Sequence, residues 1–142
     1  MSESSLRNKS KEFAKQIVVL CRDIKSNFRE SVLTNQLLRS GTSIGANLHE
    51  AQYAQGTKDF ISELEIAQKE CYETEYWLEL LFETGYIPDE QYKSLQNACG
   101  PFVVCLFRLL TQSKPKFDNM KIQRNAGYTY CLRDFVLEIG KS

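Results

Sequence analysis

Between Phe60 and Leu81 every third or fourth residue is apolar or small: Phe60, Leu64, Ala67, Cys71, Thr74, Leu78 and Leu81. Steps of three and four put these side chains on one face of an α-helix, whereas a strand, with its period of two, cannot bury them together. A helix with such a face must cover it with other elements. A second stripe, Ile66, Glu70, Glu73, Trp77 and Leu80, lies beside the first and widens it. A helix with two seams contacts neighbours on both sides, within a bundle or across a subunit boundary.

The rest of the chain repeats the pattern. Phe13, Ile17, Leu20 and Ile24 form one stripe of a first helix over Ser5 to Ser26, backed by Lys9, Lys11, Lys15, Arg22 and Lys25, and Asn27 and Phe28 end it. Leu33, Leu37, Gly41, Ile44, Leu48 and Ala51 mark a second helix, with Ser31 as its expected N-cap. Gly56 fits a left-handed residue after that helix, and Thr57 and Asp59 fit the start of the third. Gly85 closes the third helix and Pro88 opens a fourth, carrying Tyr92, Leu95, Cys99, Phe102, Leu106 and Leu109. Pro101 should kink it by removing an internal hydrogen bond. Four patterned helices with short connections predict an all-α, up-and-down four-helix bundle over residues 1–113. Residues 114–142 read as a C-terminal tail whose last stretch, Tyr128 to Ile139, fits either a short strand or a docked helix, packed on a neighbouring subunit.

A chain of 142 residues is enough for one core. No run reaches the roughly 18 consecutive apolar residues of a membrane helix, and Met1 to Ser10 lacks the apolar centre of a secretory signal, so the expected compartment is the cytoplasm. Five cysteines, an odd number without a Cys-x-x-Cys pair, fit buried free thiols better than a disulfide framework or a zinc site.

Chemistry finds little support. A di-iron bundle draws a Glu-x-x-His pair from each of two helices, and this sequence holds one histidine, His49, and no such pair. His49 has no nucleophile elbow to serve, and neither a phosphate loop nor a dinucleotide fingerprint is present. The expectation is a protein that is not an enzyme, with no metal and no cofactor.

Two features invite a functional reading. Arg39-Ser-Gly-Thr-Ser-Ile-Gly-Ala-Asn47 puts glycines and hydroxyls where helices disfavour them, which fits close approach of another helix or, as the alternative, a ligand groove. Arg39, Asn47, Glu50, Glu70 and Glu73 lie near the predicted interior and fit a buried polar network that sets the register of helices two and three, or else a recognition site.

Charge is uneven, although 18 basic and 18 acidic residues cancel. Residues 1–29 hold seven basic and three acidic side chains (+4), residues 50–90 two and eleven (−9), and residues 91–142 eight and three (+5). This creates opposed surface fields, or it is neutralised between adjacent antiparallel helices; the second is the simpler expectation.

The ordered set Leu38-Arg39-Ser-Gly-Thr-Ser-Ile-Gly-Ala-Asn47-Leu-His-Glu50-Ala51, Lys58-Asp-Phe-Ile61 and Ile66-Ala-Gln-Lys-Glu70-Cys-Tyr-Glu73-Thr-Glu-Tyr-Trp77-Leu78 resembles the four-helix bundle proteins encoded in intervening sequences of bacterial 23S ribosomal RNA genes. The resemblance covers about residues 5–113 and is strongest from Leu38 to Gly85. It implies a bacterial protein with a left-handed bundle assembled into a homopentamer, a ring of five. It also brings in a relative, the accessory variability determinant of diversity-generating retroelements, which binds nucleic acid and its reverse transcriptase through a basic surface.

Two functions follow as expectations. One is an oligomeric module associated with RNA or DNA, with Lys9, Lys11, Lys15, Arg22, Lys25, Arg108, Lys114, Lys116, Lys121 and Arg124 contacting phosphate. The other is a protein-interaction scaffold in which the acidic third helix or the tail engages a partner, for instance a nucleic-acid-processing protein, without nucleic acid.

Overall fold

The computed structural model describes residues 3–113 as four helices: α1 Glu3–Phe28, α2 Val32–Ala51, α3 Thr57–Glu83 and α4 Asp89–Ser113. The tail, residues 114–142, lies outside the described residues, as does the expectation for Tyr128 to Ile139. Connections over 29–31, 52–56 and 84–88 are too short for anything but antiparallel neighbours, so the fold is an all-α up-and-down bundle. Each helix packs on the next in sequence and α4 returns to α1, most thinly of all; the diagonal pairs, α1 with α3 and α2 with α4, do not pack on each other.

The core follows the stripes. Phe13, Ile17, Leu20 and Ile24 of α1, Leu37, Ile44 and Leu48 of α2, Leu64, Cys71, Leu78 and Leu81 of α3, and Leu95, Cys99, Phe102 and Leu106 of α4 are all buried. The ends of the stripes, Leu33, Phe60, Tyr92 and Leu109, are partly buried against them. Cys21, Cys71 and Cys99 are free thiols inside the core, and burial pushes the Cys21 thiol up to about 11.

Gly41 and Gly45 serve the close approach of α1. A Cβ on Gly41 would stand 3.0 Å from Ile17 Cγ1 and Cγ2, and one on Gly45 would stand 3.3 Å from Ser10 Oγ. The hydroxyls of the same run turn back on their own helix: Thr42 Oγ1 donates to the Leu38 carbonyl at 2.7 Å and Ser43 Oγ to the Arg39 carbonyl at 2.7 Å.

Helix ends depart from the sequence expectation at two points. Ser31 occupies the N-cap of α2, but its hydroxyl makes no capping bond; the Glu30 carboxylate accepts from the amides of Leu33 at 2.8 Å and Thr34 at 2.9 Å instead. Ser31 has φ −126° and ψ −18°, away from the extended backbone that aims a capping hydroxyl, and Glu30 is long enough to reach over. Gly56 is extended rather than left-handed, because α2 ends five residues earlier at Ala51 and Gly56 is instead the N-cap of α3. Pro101 lies inside α4, which continues on both sides of it.

At Gly85 the expectation holds in detail. Its φ of +83° lets the Tyr86 amide reach the Leu81 carbonyl at 2.9 Å and its own amide reach that of Phe82 at 3.0 Å, which closes α3.

Candidate interaction surfaces

α1 and α3 carry most of the segregated charge, and the bundle puts them on opposite corners. Between adjacent antiparallel helices, Arg39 of α2 does pair with Glu70 and Glu73 of α3, but among the described residues no ion pair joins the basic α1 to the acidic α3. The ion pairs of α1 are local, Lys15 Nζ to Glu12 at 2.6 Å and Arg22 Nε to Asp23 at 3.5 Å, in side chains more than half exposed, where such pairs contribute little.

On α1, Lys11, Lys15, Arg22 and Lys25 share one outward stripe with Val18, which is 46% exposed. Arg7 extends this stripe one turn earlier and Arg29 follows just past the helix end; the sequence reading missed both, although their spacing of four from Lys11 and Lys25 was there to be read. Lys25 Nζ also donates to Asn35 Oδ1 at 2.6 Å, and Arg7 to Gln52 Oε1 at 3.4 Å, so the ridge leans toward α2. Lys9 is not part of it. It lines a cleft of about 400 Å³ between α1 and α4, floored by Phe13 and Phe102, where the two helices pack least. Arg108 is exposed near the end of α4, on a different element from the ridge, and Lys114, Lys116, Lys121 and Arg124 lie outside the described residues.

The polar network is smaller and wetter than expected. Arg39 of α2 pairs with Glu73 and, at 3.5 Å, with Glu70 Oε1 on α3, and Trp77 Nε1 donates to Glu73 Oε1 at 3.1 Å. Arg39 is 53% exposed, so this is a clasp on the rim of the α2–α3 seam rather than a buried network. The Arg39 guanidinium, then the Trp77 indole, hold the Glu73 carboxyl below its usual range. Asn47 donates to the Ser43 carbonyl of its own helix at 2.7 Å, and Glu50 is exposed at the end of α2; the structure brings neither to the clasp. Beneath the rim the buried polar contact is between Ser40 and Thr74, which apolar periodicity did not single out as a pair.

α3 shows two further faces. Toward α4, burial and the neighbouring Glu79 push the Glu75 carboxyl up, and the Tyr92 phenol is raised by burial and by the acids of α3. Outward, Lys69, Tyr76, Glu79 and Glu83 are exposed, with Tyr76 57% exposed and Ile66 38% exposed beside it, while Glu65 and Tyr72 are half-buried and Tyr72 packs against the core. His49 is exposed at the end of α2 with its ring edge-on to Tyr53. Among the described residues no group of three or more His, Cys, Asp or Glu is placed to hold a metal, and no helix is long and apolar enough to cross a membrane.

The comparisons agree with the fold and the motif. A crystal structure of a protein with unknown function from the S23 ribosomal protein family of Bacteroides thetaiotaomicron VPI-5482 is 48% identical, with a TM-score of 0.73, over 74% of this chain and 97% of that one. No curated protein matches. The description of the 23S rRNA-intervening sequence protein family matches residues 2–106, through all of α1 to α3 and most of α4. The chain belongs to the 23S rRNA-intervening sequence protein family.

Proposed function

We infer that this chain is a non-enzymatic, self-assembling bundle that works by binding, as a ring of copies for which the family resemblance gives five. The observation that carries this reading is the placement of a basic α1 and an acidic, aromatic-bearing α3 on opposite corners of one bundle. Opposed patches on one surface favour a head-to-tail contact, and a head-to-tail contact repeated by rotation closes a ring. The single histidine, exposed and set against Tyr53, and the Glu70–Arg39–Glu73 clasp both read as structure rather than chemistry.

A second reading has its own observation. The α1 ridge, with Lys11, Lys15, Arg22 and Lys25 in line, fits the phosphates of RNA or DNA, as the basic relative implies. The acidic corner, by contrast, repels phosphate and fits a protein partner.

Light scattering on a sizing column, with the ratio of absorbance at 260 and 280 nm across the peak, tests both. A mass of several chains with a protein-like ratio supports the self-assembling reading. A high ratio that falls with salt supports nucleic acid on the ridge, and a monomer at every concentration contradicts assembly.

A further inference from the structure

Of the four seams between adjacent helices, the one between α1 and α4 is the least closed, and the cleft of about 400 Å³ lies along it. The rings of Phe13 and Phe102, with centroids 5.7 Å apart, form its floor, and Glu12, Gln16, Ala98 and Pro101 form its walls. A methyl at Ala98 and a proline ring at Pro101 leave depth that longer apolar side chains would fill. Val19, 43% exposed, continues the α1 wall two turns past Glu12.

The chain beyond α4 has a face of matching chemistry. Tyr128, Leu132, Phe135 and Ile139 follow at steps of four, three and four, which puts them on one side of a helix. Arg133 and Asp134 fall on the other side, with Tyr130 and Leu137. A groove between two helices offers side chains but no free backbone edge. A strand laid in it would leave its amides unpaired, whereas a helix satisfies its own.

We propose that residues 128–139 fold back as a short amphipathic helix into the α1–α4 cleft of their own chain, with the Leu132 and Phe135 side on Phe13 and Phe102. The chain is long enough to do so. α4 runs antiparallel to α1, and Leu109 borders the same hollow as Leu6, so α4 ends beside the start of α1. From Ser113 back to Phe102 is eleven residues, about 17 Å along the helix, and back to Asn97 sixteen, about 24 Å. Residues 114–127, fourteen in all, reach about 46 Å when extended.

The lengths also agree. A helix of twelve residues is about 18 Å long, and the cleft from Asn8 to Gln16 runs about 12 Å along α1. So short a tether holds the segment at high effective concentration over its own cleft, which favours that cleft over the one in another copy. The segment lies beyond residues 2–106, which the family matches, and the proposal holds for a monomer or a ring alike.

Photocross-linking of the full chain tests the contact. The probe is p-benzoylphenylalanine in place of Phe135, in a co-refolded mixture of light and heavy nitrogen-labelled protein. The proposal predicts links within single chains, to residues 8–16 of α1 and 97–102 of α4. Links to other parts of the bundle, or none to it, would overturn the proposal. Mixed-isotope links to the cleft would overturn it too, by placing the segment on a neighbouring copy.

Hydrogen exchange gives a second reading that needs no bulky probe. Phe135→Asp in the full chain should speed amide exchange several-fold in residues 8–16 and 97–102, and leave α2 and the middle of α3 as they are. Equal rates in the two proteins, or a rise spread evenly over all four helices, would contradict docking in the cleft.

Discussion

The hydroxyls of Ser40 and Thr74 meet at 3.0 Å across the α2–α3 seam, both wholly out of solvent. Each also reaches a carbonyl of its own helix, Ser40 that of Leu37 at 3.3 Å and Thr74 that of Glu70 at 2.7 Å. The two hydroxyl protons serve these three contacts, so two can be hydrogen bonds at once, and the pair links α2 to α3 at this level of the seam. Thr74→Val keeps the shape and removes the contact, and should cost about 1 kcal/mol in chemical denaturation. Ser40→Ala should cost a similar amount, and the double variant less than the sum. Strict additivity would mean that the two hydroxyls do not act together.

At Gly41 a methyl group meets Ile17 at 3.0 Å on two carbons, a branched core side chain with no room to turn. Gly41→Ala should therefore destabilise by roughly 1–3 kcal/mol, despite the better helix propensity of alanine. Gly45→Ala meets only the Ser10 hydroxyl, at 3.3 Å, and should be close to neutral. Equal melting temperatures for the two variants would contradict this account of how α1 closes on α2.

The α2 N-terminus separates what the sequence shows from what it hides. The break before Val32 was legible; the capping residue was not, because the choice between Ser31 and Glu30 depends on a backbone angle that composition does not encode. Glu30→Ala should cost about 1 kcal/mol and Ser31→Ala much less, read from denaturation midpoints.

Much of the fold was legible for one reason: buried helix faces repeat at three and four, and the stripes of α1 to α4 could be followed residue by residue. Arg39, Glu70 and Glu73 were legible as partners because their helices are adjacent in sequence. Asn47 and Glu50 were not separable from them, since a polar residue one turn along the same helix serves its own backbone as readily as a neighbour. The fate of the segregated charge was hidden too, because pairing or separation depends on which helices share an edge, a property of the bundle rather than of any one stripe.

Two carboxyls should give opposite pH dependences. Glu73, held below the 4.5 of the free side chain by Arg39, contributes stability that is present above about pH 4.5 and is lost as pH falls through its folded value. Trp77, the sole tryptophan, bonds that carboxylate, so its fluorescence should change in the same acid range and lose that transition in Glu73→Gln. Glu75 lies above 4.5 because of burial and Glu79, so its contribution is fully present below pH 4.5 and is lost as pH rises through its folded value. Glu75→Gln should raise Tm at pH 7 by on the order of a few degrees and have little effect at pH 4.

The central claim, that the basic corner of one bundle meets the acidic corner of the next, is tested most directly by zero-length carbodiimide cross-linking of a mixture of light and heavy nitrogen-labelled full-length protein. α1 and α3 stand on opposite corners of each bundle, so amide links between them must join two copies. The account predicts mixed-isotope links between lysines of α1 and exposed carboxylates of α3 such as Glu79 and Glu83. Abundant links elsewhere with none between α1 and α3, or a sample that yields only links within single chains, would contradict it.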